Sequence, residues 1–546
     1  MSYKELANLL FPDVKETIPY YEAKFPKRNL KEGALVTRMA PSPTGFIHIG
    51  NLYGAFVDER LAHLSDGVFM LRIEDTDEKR KVEGAVEAII SSFEFYGLSF
   101  DEGVNINGET GDYGPYYQSM RKEIYHCVAK YLVEQGRAYP CFCSEEELNE
   151  LRKTQEKEKI TTGYYGKWAK DRNLSIEEIK EKLSHNENFV LRFKSMGDEQ
   201  NTFEMEDGIR GTITVHENFQ DIVLLKSNGI PTYHFAHVVD DHFMWVTHVV
   251  RGEEWLSSLP VHVEMFKTIG WNLPVYCHTA LLMKIDNGNK RKLSKRKDPE
   301  LGLNFYMELG YYPEAVREYL MIILNSNYEE WRMANPDRSY TEFDFTLDKM
   351  STSGAIFDLD KLNNVSKDVL LKIPAEKIYE FLLNWAKKYK TEAAKQLETN
   401  RSSVIKLLSI GKEGDKPRKD LIYCEQIFDF ISYFFDEYFR IVDEYPENID
   451  DDEAKKLLDD YLETYDQNDD QSQWFEKIRK ISEMNNYAPK PKVYKKNPEL
   501  YKGHVGDVST AIRIALVGRV NSPDIWEIQQ IMGEEKVRER LKKMIQ

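Results

Sequence analysis

Cysteine is scarce. The chain holds five in 546 residues, Cys127, Cys141, Cys143, Cys277 and Cys424, odd in number and scattered. That suits a reducing compartment better than a disulfide scaffold. Long apolar runs are missing too: none nears the roughly 20 residues of a membrane helix. The start "MSYKELANLLFPDVKE" has no basic stretch leading into an apolar one, so no secretion signal is read there. The expected location is cytoplasmic, with no membrane partner. Positive charge is in deficit, 74 Lys plus Arg against 92 Asp plus Glu, a net charge of −18. Taken alone, that speaks against a nucleic-acid partner. Phosphate binding depends on local charge, however, and from Lys477 onward 15 basic residues face 8 acidic ones, a tail of +7 behind a body of −25. An RNA contact and an ordinary solvated face both stay open for that tail.

What is present is a globular balance, 41% hydrophobic and 30% charged, on a chain long enough for three or more domains. "ALVTRMA" (Ala34 to Ala40) reads as a short buried strand, and after a Pro/Gly turn the positions Ile49, Leu52, Phe56, Leu61 and Leu64 keep a helical period. A turn at Ser65 to Gly67 leads into "VFMLRIEDTD", completing a β-α-β unit of a parallel sheet. Such sheets bind ligands beyond the carboxyl ends of their strands, where both the proline turn and "EDTD" lie. From about Asp112 to Lys226 the texture changes to charged helices and mixed strands, an insertion that splits the sheet domain. Apolar strand patterns return in "DIVLLKSNG" and "HFMWVTHVVRG". "KIDNGNKRKLSKRKDPE" (Lys284 to Glu300) reads as a basic, glycine-containing loop. Beyond it the chain is almost wholly helical, as in "EQIFDFISYFFDEYFRIV", with acidic linkers at Glu447 to Glu453 and Asp466 to Asp470.

Two stretches carry chemistry. In "RMAPSPTGFIHIGNLYGAF" a helix starting at His48 to Gly50 directs unpaired N–H groups and a positive dipole end outward, ready for a phosphate. Gly50 lets a flat adenine approach the backbone, His48 offers a donor to phosphate oxygens, and Pro41 and Pro43 stiffen the tip. A satisfied structural histidine is the alternative. In "KRKLSKRK", Lys292 and Lys295 flank Ser294, two mobile cations able to close over a triphosphate, or else a solvated lysine loop.

Together these strings resemble the class I aminoacyl-tRNA synthetases, and within them the bacterial-type glutamyl-tRNA synthetases. "HIGN" matches the HIGH signature and "KLSKR" the KMSKS signature. The narrower likeness is "RMAPSPTGFIHIGN" with "RIEDTD", "PTYHFAHVVDDHFMWVTHVVRGEEW" and "GYYPEAVREYL" in the same order, and a fainter one is "GDVSTAIRIALVGR". The resemblance implies ATP-dependent ligation of L-glutamate to the 3′ end of tRNA(Glu) through a glutamyl adenylate, with Mg2+ beside ATP. It implies an α/β fold class, a Rossmann-like parallel-sheet catalytic domain split by an α+β insertion and followed by an all-α anticodon-binding region. The boundaries expected are an N-terminal extension at 1–33, catalytic halves at 34–111 and 227–283, and an acceptor-end insertion at 112–226. A stem-contact domain follows at 284–373 and the helical region at 374–546. Arg38 and Ser42 would take the substrate side-chain carboxylate, Glu74 and Tyr233 the α-ammonium, and Arg251 the α-carboxylate, with His237 nearby. His48, Gly50, Asn51, Glu254, Trp255, Leu293, Ser294 and Lys295 would bind ATP. His48, Lys292 and Lys295 would stabilise the charge that builds on the phosphates. A monomer is expected.

Three features depart from that family. About 33 residues precede the first strand. His237 stands where relatives often carry Asn. "CFC" at Cys141 and Cys143 followed by Tyr164 has the spacing of the family's zinc site, but Trp168 and Lys170 occupy the next ligand positions. Two thiols and a phenol fall short of the about four ligands zinc takes, so no zinc is expected. Tyr487, Tyr494, Tyr501 and Trp526 lie among the basic residues of the tail as base platforms or as core. A tRNA-modifying relative, an inactive RNA-binding paralogue and an enzyme that also charges tRNA(Gln) are the other readings.

Overall fold

Strand Val36–Met39 is buried at all four residues, as a central parallel strand covered on both faces must be. It pairs in parallel with Val68–Leu71, Val36 opposite Val68 and Met39 opposite Leu71. Glu102–Asn105 extends the sheet in parallel and Gly108–Thr110 closes it antiparallel. The computed structural model describes residues 2–45, 47–77, 79, 81–414 and 416–546. Helix Ile49–Leu64 connects the first two strands. Ile49, Leu52, Phe56 and Leu61 of its predicted stripe are buried, while Leu64, in the last turn, is exposed. Gly67 is required at the return: a Cβ there would sit 1.9 Å from the Leu35 carbonyl oxygen.

Val36 in the first strand and Thr247, which comes after the insertion, are joined by hydrogen bonds. The Thr247 N–H donates to Val36 O at 2.9 Å, and Thr247 Oγ1 accepts from Val36 N at 2.8 Å. Strand His248–Gly252 comes directly after it and runs parallel to Val275–Thr279. Between the halves, Ala138–Cys141, Val190–Phe193 and Val223–Leu225 form a small antiparallel sheet, and Thr202–Asp207 with Gly211–His216 forms a hairpin. The N-terminal extension, unexplained by sequence, is two helices, Tyr3–Leu10 and Ile18–Lys24, whose next segment ties onto both halves. Arg28 pairs with Glu102 and donates to Met244 O at 3.0 Å, Tyr113 donates to Pro26 O at 2.9 Å, and Trp245 Nε1 donates to Phe25 O at 2.9 Å.

"KIDNGNKRK" is not a loop. Leu282–Asp286 and Asn289–Lys292 pair antiparallel around Asn287 and Gly288, both at positive φ (49° and 80°), the Asn-Gly chemistry that favours a tight hairpin turn.

The described chain divides into two units, Met1–Leu303 with Arg317–Asp358, and Asn304–Val316 with Leu359–Gln546. The second is helical. Its acidic linkers are helix starts: Asp450 accepts from Glu453 N, and Asp470 caps Gln471–Met484 in a reciprocal box with Gln473. The predicted helix in "EQIFDFISYFFDEYFRIV" stops early, at Ile431, and gives way to a short 3-10 turn. Tyr433, Phe434 and Phe435 are all buried, and three consecutive side chains cannot share one helix face. Tyr487 is core, and Trp526 packs against that core with its Nε1 donating to Asp469 O at 3.0 Å. Tyr494 and Tyr501 are half-buried. Among the described residues no helix is long and apolar enough to cross a membrane.

Candidate active site

The proline turn leaves the end of Val36–Met39, and its carbonyls pin the downstream chain: Pro41 O accepts Glu74 N and Pro43 O accepts Val82 N, each at 3.0 Å. His48 then caps the helix. Its Nδ1 accepts from Asn51 N at 3.2 Å and Asn51 Oδ1 accepts from His48 N at 3.1 Å. One of the N–H groups expected to meet a phosphate is therefore used by the cap. The bond settles the imidazole as well, because an accepting Nδ1 puts the proton of the neutral ring on Nε2. Burial, then Lys295 and Lys292, push the His48 pKa down to about 4, so the ring is a neutral donor. Gly50 has a second reason to lack a side chain: a Cβ would lie 2.9 Å from His48 Nδ1 and break the cap.

The lysine segment is held by a clip that its flanks conceal in sequence. Arg291 donates to Asp298 Oδ2 at 2.6 Å and Oδ1 at 2.8 Å, and Ser294 N donates to Asp298 Oδ2 at 2.8 Å. Those bonds, the Arg291 guanidinium first, hold the Asp298 carboxyl well below its usual range. Leu293 is buried as an anchor, and Lys292 and Lys295 are exposed. Both lysines act electrostatically on His48, so the structure brings the two signatures together.

A second group of residues is built from buried charge. Arg38 Nε donates to Asp241 Oδ1 at 3.3 Å, and Arg72 donates to the same oxygen at 2.6 Å and to Glu74 Oε1 at 3.3 Å. Burial alone would raise the Asp241 pKa, but Arg38 and Arg72 hold it well below the carboxylate range. Among the described residues no protein acceptor takes the Arg38 Nη groups. Burial pushes the Glu74 carboxyl up, against Arg72 and Arg38. The Tyr233 ring lies 4.5 Å from Trp255, and Glu74, Arg251 and Arg38 all act on its hydroxyl. Ser42 and Glu254 are exposed at this edge. His237 is different: it is wholly buried, with Nδ1 2.8 Å from Asp241 and Nε2 3.0 Å from the Tyr276 hydroxyl. Burial pushes its pKa down to about 4.

Around Arg251 the structure adds groups that sequence reasoning missed. Arg251 Nε donates to His278 Nε2 at 2.9 Å, Nη1 to His262 Nδ1 at 3.1 Å, and Nη2 to Trp255 O at 3.3 Å. His278 Nδ1 is 2.6 Å from Asp207, and His262 Nε2 is 3.0 Å from His234 Nδ1. No spacing announces these residues, which come from a hairpin, two helices and a strand.

The insertion holds a further cluster that changes the ligand count expected there. Asp171, outside the predicted spacing, joins Cys141 and Cys143 with all three ligand atoms within 4.8 Å of one another, and the Tyr164 hydroxyl is 3.3 Å from Cys143 Sγ. Four donors are thus present. Cys141, Cys143, Tyr164 and Asp171 are the residues that would hold a metal if this insertion took one. The count of two thiols and a phenol no longer argues against the metal.

A parallel sheet split by an insertion, with a capped HIGN helix facing a KLSK clip, defines a class I aminoacyl-tRNA synthetase. Residues 34–364 match the family described as tRNA synthetases class I (E and Q), catalytic domain, and residues 499–545 match an anticodon binding domain. The chain is 71% identical over 546 residues to the glutamate–tRNA ligase of Acetivibrio thermocellus, with all of both chains covered. It is 49% identical over 550 residues to that of Clostridium perfringens strain SM101, again with both fully covered. A crystal structure of the glutamate tRNA ligase of Elizabethkingia meningosepticum in complex with its amino acid superposes with a TM-score of 0.72 at 28% identity, over 94% of this chain and 99% of that one. This chain belongs to the glutamate–tRNA ligase family.

Proposed function

We propose that the protein activates L-glutamate with ATP and transfers it to the 3′ end of tRNA(Glu). One observation carries the residue roles. Arg38, Glu74 and Arg251, at or just beyond the carboxyl ends of parallel strands, all act on the Tyr233 hydroxyl, while His48, in the turn that follows the strand of Arg38, faces Lys292 and Lys295. The Arg38 Nη fork takes the substrate side-chain carboxylate, Asp241 already occupying Nε and fixing its orientation. Glu74 and Tyr233 take the α-ammonium, and Arg251 faces the α-carboxylate. An oxygen of that carboxylate attacks the α-phosphorus of ATP, supplied as its Mg2+ complex, and the bond to pyrophosphate breaks. No side chain acts as nucleophile. His48 Nε2–H, Lys292 and Lys295 stabilise the charge gathering on the phosphoryl oxygens. The terminal ribose hydroxyl of the tRNA then attacks the adenylate carbonyl and AMP leaves.

In this reading residues 112–226 grip the acceptor end, 284–373 contact the inner stem and 374–546 read the anticodon, on a monomer of the cytoplasm. ATP–pyrophosphate exchange with glutamate, run with purified tRNAs of each anticodon, tests it. Glutamate-dependent exchange and glutamylation of tRNA(Glu) are expected, and glutamylation of tRNA(Gln) would widen the substrate to both. Absence of exchange with every tRNA would leave an inactive RNA-binding protein.

A further inference from the structure

The two arginines of the pocket are held in different ways. Arg38 is paired directly with a carboxylate, Asp241. Arg251 has no carboxylate on it among the described residues and is held instead by two imidazoles and a carbonyl. Neutral acceptors leave the guanidinium its full charge for a substrate carboxylate, whereas a carboxylate in contact would compete with one.

Donor logic fixes the protons of this arrangement. A guanidinium only donates, so His278 Nε2 accepts, the His278 proton sits on Nδ1, and Nδ1–H donates to Asp207 at 2.6 Å. On the other side His262 Nδ1 accepts from Arg251, so His262 Nε2–H donates to His234 Nδ1. Burial, against the Asp207 hydrogen bond, keeps the His278 pKa low, so the imidazole stays neutral.

Asp207 is itself fixed. It ends the hairpin strand Thr202–Asp207, is 3% exposed, and its Oδ1 accepts from Ile209 N and Arg210 N, each at 3.0 Å. The next residue, Gly208, donates its N–H to Tyr276 O at 2.8 Å and locks the hairpin to strand Val275–Thr279.

We infer that Asp207 is a positioning residue for glutamate activation: through the His278 imidazole it holds the Arg251 guanidinium on the substrate α-carboxylate. This rests on the assignment of Arg251 to that carboxylate. A carboxylate behind an imidazole fixes the ring's tautomer and strengthens its free nitrogen as an acceptor, the second-layer support known from metal-bound histidines.

The test uses the full chain with tRNA(Glu) in ATP–pyrophosphate exchange, comparing wild type with Asp207→Asn, His278→Gln and Arg251→Ala. Asp207→Asn is expected to raise the glutamate KM by about 10- to 100-fold, the scale of one lost charge-assisted bond, and to leave the ATP KM unchanged. Glutamol, in which the α-carboxylate is reduced to an alcohol, should inhibit wild type and Asp207→Asn equally. A fall in kcat with both KM values and glutamol inhibition disturbed together would make Asp207 merely structural and overturn the inference. Should Asp207→Asn not fold, His278→Gln, which leaves the backbone bonds of Asp207 in place, carries the same expectation and the same refutation. An unchanged glutamate KM in Arg251→Ala would refute the α-carboxylate assignment itself. A raised one there with normal values in the other two variants would refute only the role of Asp207.

Discussion

Eleven of the twelve histidines fall in the sheet-bearing unit and one, His504, in the helical unit. Charge shows the same division: Arg38, Arg72, Arg121, Asp240 and Asp241 are buried in the sheet unit, whereas the core of the helical unit is dominated by Leu, Ile and Ala. Buried charge is expensive to hold and useful only where something charged must be recognised. The contrast therefore separates a unit built for a small ionic substrate from one stabilised mainly by packing. A second contrast lies inside the sheet unit. Arg38 is locked by Asp241, while Lys292 and Lys295 are exposed beside a clip made by Arg291 and Asp298. The locked charges suit a substrate already charged when it binds, and the exposed ones suit charge that appears only during reaction.

The sharpest break in that comparison is Arg38→Ala. It removes the group proposed to hold the substrate side-chain carboxylate and one of the two guanidiniums on Asp241, and truncation of a buried charge pair costs about 2–5 kcal/mol. Glutamate-dependent exchange should fall by about 30-fold or more, and unchanged activation of glutamate would refute the Arg38 assignment. Lys295→Ala comes next. Loss of one group that stabilises transition-state charge slows adenylate formation by about 10²-fold. Affinity for tRNA, read by filter binding, should stay nearly intact, and the reverse pattern would make the segment an RNA contact.

Acid should separate the two units as well. His48, His234 and His237 have pKa values pushed down to about 4, chiefly by burial, from an ordinary 6.5. Between those values the unfolded chain binds protons that the native one refuses. Their contribution is thus full above about pH 6.5 and is lost as pH falls toward 4. His63 has the opposite sign, raised to about 9 by hydrogen bonds to Asp101 and Glu59, so what it adds is present below pH 6.5 and lost as pH rises through 9. The acid-side loss between pH 7 and pH 5 is about 2 kcal/mol for each of these three imidazoles. Buried cysteines report on each unit, Cys277 on the sheet side and Cys424 on the helical side. Thiol labelling in urea, pulsed at a common pH after equilibration, should show Cys277 exposed at lower urea at pH 5 than at pH 7, with Cys424 shifting less. Equal shifts would remove the distinction.

How far the sequence could be read depended on the range of the contacts. The β-α-β start was legible because strand, turn and helix are local, and motif strings singled out Arg38, Glu74, Tyr233 and Arg251, which lie together in the structure. The Asn-Gly hairpin was also written locally, in "DNGN", but the surrounding lysines obscured it. The imidazoles around Arg251 were hidden because His234, His262 and His278 meet only after the sheet has formed. The aromatics of the basic tail misled by neighbourhood: Tyr487 lies among lysines in sequence and in the core in space.

The smallest effect expected is none at all, on removing metal from the insertion. The presence of Asp171 completes a donor set, so a zinc-free fold cannot be inferred from ligand count. Satisfaction of the groups points to it instead. Asp171 Oδ2 accepts from Phe142 N at 2.7 Å, and Cys143 Sγ is 3.6 Å from that oxygen. The Tyr164 hydroxyl accepts from Asp171 N at 3.1 Å, and the Arg192 guanidinium lies 4.1 Å from the Tyr164 ring centroid. A small domain that depends on a structural zinc loses its fold with the metal. Here the donors already bond to one another and to backbone, and Tyr139, Cys141, Tyr164 and Ala169 form a small buried cluster around them. EDTA should leave the melting temperature of the purified protein unchanged, and elemental analysis should find no stoichiometric zinc. About one zinc per chain, with the insertion unfolding on chelation, would show that Cys141, Cys143, Tyr164 and Asp171 hold a metal after all.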